Sequence, residues 1–493
     1  NSLLSGMDRN LRILKQFSRA VCAVVALTNV VNAGEKEEAL IGKVVAAYGG
    51  QKLMSAKALT FNDQYKNFRV GQGYSAGEVD IELENTSLTI DFENKRKNLV
   101  TWRKISRGNF LSEYIHDGEA GHFLDHSTKT HSVNPNRDYN TVGGRIMRRI
   151  DTALVHLLLD AAAETKYLGE SIYRGKAHEK LSFKMAGGPE LTLAFDKETG
   201  LLSRATQQSR HLGELTYVYS EHRKKDGITY ASDTNLLVEG RPNVITRSRT
   251  IEVNSDLSHT FDLPSDYAAP GIWIDTSKMA VKKLADDVYF AGLNGAYSVF
   301  VDAGDHYVGV GGYAGLSDRL KTVQELAGNE KPLRDQVVTH HHSDHLGGVN
   351  EVADLGANFV TVDANVEIIR NLLTSEVDDS RFIRVSDKRT FGNGKVEVYD
   401  ITTAHAEHYL LYYVPSAKLV FSADHFFTDQ ETALPSAHNN MVTFRRAIEA
   451  LGIDVERFAS AHAVRTLTLE ELHAATDGYT EGVCPEGLSV CNG

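Results

Sequence analysis

VVTHHHSDHLGG, residues 337–348, sets four histidines and an aspartate within six positions. The apolar run DQVVT that leads into it suits a buried strand, and a chain leaving such a strand still extended places alternate residues on one side. On that geometry His340, His342 and Asp344 converge, while His341 and Ser343 face away. His345 follows, and Gly347-Gly348 marks a turn into the next element. Imidazole nitrogens and a carboxylate at this spacing suit a divalent transition metal, zinc before the others. His341 is expected to pack, or to support a ligand, rather than to be one.

The chain around this stretch has 493 residues, 42% hydrophobic and 24% charged, which is ordinary globular composition and enough for two or three cores. A net charge of -12 with no long basic run disfavours nucleic acid as a partner. Arg9, Arg12, Lys15 and Arg19 precede an apolar run, Ala20 to Val31, that ends in Val-Asn-Ala. This pattern reads as a leader cut after Ala33, so the mature protein is expected to be exported, periplasmic or secreted, with no integral membrane span. Cys484 and Cys491 then remain, close together in the tail 481–493, and a small disulfide between them is expected.

Between Glu35 and about Tyr267 the sequence alternates with period two. SLTIDF puts Leu88, Ile90 and Phe92 on one face, and LTLAF does the same with Leu191, Leu193 and Phe195. Such segments, separated by turns like DKETG, indicate antiparallel strands with one covered face. The apolar stretch from Thr152 interrupts them as a helix. LPSDYAAPGIW, residues 263–273, reads as a linker. The organisation expected is therefore a leader over 1–33, a β-rich domain over 34–270, a second domain over 271–480 and the tail. Ten of the twenty histidines fall between His340 and His473, inside the second domain.

The pattern His-x-His-x-Asp-His resembles that of the metallo-β-lactamase superfamily, and further matching positions follow in order. His405 lies in YDITTAHAEHYLLYYVP, Asp424 in LVFSADHFF and His462 in FASAHAV, each after an apolar strand. The resemblance implies an α+β chain whose C-terminal part is an αββα four-layer sandwich. It implies that His340, His342 and His405 hold one metal, that Asp344, His345 and His462 hold a second, and that Asp424 bridges them. Two zinc ions are expected, with iron or manganese also compatible with an all-nitrogen and oxygen donor set. Where the family has Asp-(Ala/Thr)-Pro this chain reads Gly311-Gly312-Tyr313, so Tyr313 joins His408, His425 and His438 as a candidate to line a substrate pocket. The first half, through YLGESIYRGKAHEKLSF, LTLAFDKETGLLSRA and FDLPSDY, resembles the bacterial lipoprotein-carrier superfamily, which implies a curved antiparallel sheet around helices.

Together these resemblances imply a hydrolase that cleaves an ester-like bond in a small molecule, an amphiphile included, by a metal-bridging hydroxide, with Asp344 and Asp424 as catalytic ligands. An aspartate at 424 favours a lactone or carboxylic ester. Phosphodiester, thioester and lactam hydrolysis are the alternatives within the superfamily. A different class, an apolar-ligand carrier with an inactive metal domain, would make the first half the working part. If the first half only presents long substrates, deleting residues 34–270 should spare short esters.

Overall fold

A computed structural model describes residues 34–126, 128–160, 164–210, 212–481, 488 and 490. The leader expected over 1–33 and the two tail cysteines, Cys484 and Cys491, lie outside the described residues.

The first half is one sheet of thirteen antiparallel strands. It consists of two meanders, one running from Ala58–Arg69 to Thr130–Val133 and the other from Lys166–Tyr173 to Arg241–Val253. They are joined where the first strand, Ala58–Arg69, pairs with the last, Arg241–Val253. Across that seam the buried Arg249 grips Asp63 through Nε (2.8 Å) and Nη2 (3.2 Å), a two-pronged pair that fixes the register of the two meanders. The apolar residues read as facing the core do so: Leu88, Ile90, Leu191, Leu193 and Phe195 are fully buried and Phe92 partly, although the neighbours Thr89, Asp91 and Ala194 on the other face are covered as well. The core-facing residues pack on the helices Glu35–Ala47 and Asp151–Asp160, which bring Leu40, Val44, Leu154 and Leu158 into the same core. The covered face of the sheet is thus filled by the chain's own helices.

After the strand-free segment 254–279, two further sheets face each other. The first has seven strands from Ala280–Ala285 to Phe382–Arg384, antiparallel at first and parallel from Tyr307–Val310 onward. The second has six, from Lys388–Phe391 to Leu467–Thr468. Val299, Val301, Val308 and Val310 of one meet Val396, Val398, Leu411 and Phe421 of the other in a shared core. The helices Leu316–Ala327, Val349–Asp354 and Asp363–Leu372 cover the first sheet through Leu320, Val323, Val352 and Ile369. Asn439–Leu451 and Leu469–Thr476 pack on the second through Phe444, Ile448 and Leu472. Helix, sheet, sheet and helix therefore form four layers. Among the described residues no helix is long and apolar enough to cross a membrane.

Candidate metal centre

Each site segment leaves the carboxyl end of a strand. His340 comes three residues after Leu333–Val337, His405 four after Val396–Ile401, Asp424 two after Leu419–Ser422 and His462 two after Arg457–Ser460. Strand ends at which backbone pairing stops leave side chains free to converge in the crevice above the sheet. They converge as two groups of possible metal ligands, His340, His342, His405 and Asp424, and Asp344, His345, His462 and Asp424.

In the first group His405 Nε2 stands 2.9 Å from His342 Nδ1 and 3.1 Å from His340 Nε2. Asp424 Oδ2 is 3.1 Å from His340 Nε2 and 3.2 Å from His405 Nε2. The same oxygen lies 2.9 Å from His345 Nε2 in the second group, while Oδ1 touches His462 Nε2. Asp344 Oδ2 completes that group at 3.3 Å from His345 Nε2 and 3.8 Å from His462 Nε2. Donors held about 2.1 Å from one tetrahedral cation stand roughly 3.4 Å apart, which is the spacing seen here. Asp424 Oδ2 is buried among three imidazoles yet receives no hydrogen bond of good geometry. Nitrogens and carboxylates turned toward common points in this way fit cations better than a mutual hydrogen-bond network.

Electrostatics favours the forms that bind cations. Burial, and then His342 and His345, push the His340 imidazole well below its usual range. Burial together with His405 pushes His342 down to about 2. Burial opposes the Asp424 charge, but His345 and His405 hold that carboxyl well below the usual carboxylate range. His462 goes the other way: burial is the largest influence and lowers it, but the hydrogen bond to Asp424 and the charges of Asp424 and Asp344 together raise it.

The supports of these side chains come from places that the local sequence does not announce. His341 and His342 both donate through Nε2 to the carbonyl of Gly73, at 2.8 and 2.9 Å. A carbonyl only accepts, so His342 carries its proton on Nε2 and turns the Nδ1 lone pair toward the site. Gln72 Nε2 donates to Asp344 Oδ1 at 2.8 Å. Both residues belong to the hairpin between Ala58–Arg69 and Asp80–Asp91, some 270 positions away. Thr339 meets His340 Nδ1, and Tyr409 stacks on the His340 ring.

The four pocket candidates separate. His438 lines a cavity of about 350 Å³ that opens on the ligands, and tilts against Phe110. His425 is fully buried behind His405, bonded to Ser422 and Thr403 and stacked on Phe444. His408 pairs with Asp400 and is not among the cavity-lining residues. Tyr313 reaches the centre itself: its hydroxyl is 2.7 Å from His462 Nε2, 3.2 Å from Asp344 Oδ2 and 3.3 Å from His345 Nε2. Gly311 and Gly312 make this approach possible. A Cβ on Gly311, whose φ is +97°, would sit 2.5 Å from the Tyr297 carbonyl oxygen, and one on Gly312 would sit 2.1 Å from that of His345. The buried Arg319 then clamps the carbonyls of Tyr313 and Ala314.

Tyr313 Oη stands at the same spacing as the ligands of the second group. Tyr313→Phe is expected to weaken the binding of a divalent metal to that group by about 10–100-fold, as loss of a supporting partner does elsewhere. Chelator competition measures this, and an unchanged affinity would reduce Tyr313 to a packing role.

Residues 309–462 match the model of the metallo-beta-lactamase superfamily, so the chain carries a domain of that superfamily with a His/Asp cluster that could hold a metal. Solved structures similar to it include DIM-1 metallo-beta-lactamase, with 13% identity and a TM-score of 0.33 over 41% of this chain and 96% of that one. A metallo-beta-lactamase from Hirschia baltica has 14% identity and a TM-score of 0.31 over 40% and 95% of the two chains. One from Pontibacter korlensis has 19% identity and a TM-score of 0.31 over 40% and 98%. A search of curated proteins returned no match.

Proposed function

We propose that the chain is an exported, binuclear zinc-dependent hydrolase of an ester-like bond, a lactone or carboxylic ester. One observation carries this reading: the single carboxylate of Asp424 belongs to both ligand groups, so two cations held there would share it. A pair of divalent cations so placed lowers the pKa of water toward neutrality and polarises a carbonyl oxygen, which removes the need for a side-chain nucleophile.

The chain's own residues do the rest. His340, His342 and His405, neutral through burial, are ready to bind without first losing a proton. Gln72 holds Asp344 by one oxygen and leaves the other directed at His345. Asp344 is about two-fifths exposed where the cavity opens, against 7% for Asp424, so Asp344 is the carboxylate able to pass a proton to a departing group. The cavity, at about 350 Å³, suits a small molecule.

Metal content per chain by plasma mass spectrometry, coupled to a panel of lactone, ester, thioester, phosphodiester and lactam substrates, tests the reading. About two metals and metal-dependent turnover of lactone or ester are expected. Turnover confined to phosphodiester, thioester or lactam would reassign the bond, iron or manganese in place of zinc would reassign the metal, and neither metal nor turnover would overturn the proposal.

A further inference from the structure

The cavity that opens on the ligands has two walls. One is the metal centre with His438, and the other is built by the first half of the chain. Arg69 ends the strand Ala58–Arg69, Arg103 lies in Arg96–Ile105, and Arg107 stands in the turn that follows it. These ends lie at the same edge of the sheet, on either side of the strand Asp80–Asp91, which pairs with both strands. The wall thus presents three guanidinium groups in a chain whose net charge is -12.

Asp424, Glu82 and Asp80 act on Arg107 through their charges, but among the described residues none forms an ion pair with it. Glu82 is buried, accepts from Asn67 at 2.9 Å and faces Arg103 at 3.8 Å. Arg103 also lies over the Phe110 ring. Arg69 and Arg107 are different. Among the described residues neither guanidinium has a side-chain hydrogen bond or an ion pair, and Arg69 Nε is buried with no partner. Burial, and then the charge of Arg69, push Arg107 below its usual range. Two like charges therefore line the same cavity, partly shielded from water. Such an arrangement costs free energy in the free protein, and an oxyanion would offset it. Planar guanidinium groups match carboxylate, sulfate and phosphate with paired hydrogen bonds.

We propose that Arg69 and Arg107 form an anion subsite, so that the substrate of the metal centre carries a carboxylate, sulfate or phosphate group apart from the bond that is cleaved. This rests on the hydrolase reading above and narrows it: the favoured substrate is an anionic ester or lactone, and the first half of the chain selects it.

The test compares mono-p-nitrophenyl succinate with p-nitrophenyl butyrate, an anionic and a neutral ester of similar reach, in the metal-loaded wild type and in Arg69→Ala, Arg107→Ala and Arg107→Lys. Thermal melts establish that each variant folds. The wild type is expected to prefer the anionic ester at least about tenfold in kcat/KM, mainly through KM. Each alanine variant should cut that ratio about tenfold, and Arg107→Lys should keep part of it. Calorimetry on the metal-free protein with succinate, methyl sulfate and methyl phosphate supplies a readout independent of turnover, and the tightest of the three identifies the anion. Equal use of both esters by the wild type, or a ratio unmoved by both alanine variants, overturns the subsite and leaves the hydrolase standing. If no ester is turned over, calorimetry alone decides. Binding lost in the variants supports the subsite without the hydrolase, and no binding to the wild type overturns it.

Discussion

Asp424→Ala is expected to lower kcat/KM by about three orders of magnitude, equivalent to about 4 kcal/mol of transition-state stabilisation. The size of the effect follows from the position of the carboxylate. It is 7% exposed and touches His340, His405, His345 and His462, members of both ligand groups. Removing it takes one ligand from each group at once and leaves three buried imidazoles and the half-buried His462 without their common negative charge. Any cations still bound would also lose the charge that offsets their mutual repulsion. Metal content should fall below two per chain, and measuring it beside turnover separates loss of metal from loss of chemistry. An Asp424→Ala protein that kept two metals and near wild-type turnover would sink the bridging role and with it the binuclear mechanism.

The second large effect concerns the hairpin tip 71–77. Replacing it with a two-glycine turn is expected to reduce turnover of short and long substrates alike by about 10–100-fold, the range typical when partners that orient metal ligands are lost. Gly73 supplies the carbonyl that sets the His342 tautomer, and Gln72 supplies the hydrogen bond that steadies Asp344. Without them His342 can rotate or carry its proton on the wrong nitrogen, and Asp344 swings free at the mouth of the cavity. The geometry thus runs against the expectation that short esters would survive loss of residues 34–270, since the first half touches the ligands and does more than present a substrate. Kinetics with a short and a long p-nitrophenyl ester on the shortened protein decide the matter. Selective loss of the long ester would restore the presenting role and remove the supporting one.

Much of the centre was legible in the chain. His340, His342, Asp344 and His345 lie within one short stretch, and the family resemblance picked out His405, Asp424 and His462, each after an apolar strand; the structure brings these seven side chains together. Period-two alternation located the buried faces of the first sheet, with Leu88, Ile90, Leu191, Leu193 and Phe195 as read. The three candidate histidines outside the ligand set were less legible. His438 reaches the cavity, His425 packs behind it and His408 turns to Asp400, yet nothing in their neighbours along the chain tells them apart. Tyr313 was marked by the Gly311-Gly312 departure, although its closeness to three ligands depends on contacts with Tyr297, His345 and Arg319.

By itself, then, the sequence marked the candidate side chains, their order and their places after apolar strands, because these are properties of short segments whose periodicity and composition dictate local geometry. Only the tertiary structure decided what surrounds them. Gly73, Gln72, Arg69 and Arg107 reach the centre because a thirteen-strand sheet ends its hairpins against a second domain. A backbone carbonyl has no signature in a sequence, and an arginine at a hairpin end reads as solvated surface. Contacts between residues some 270 positions apart are set by packing of whole domains, and no local rule encodes them.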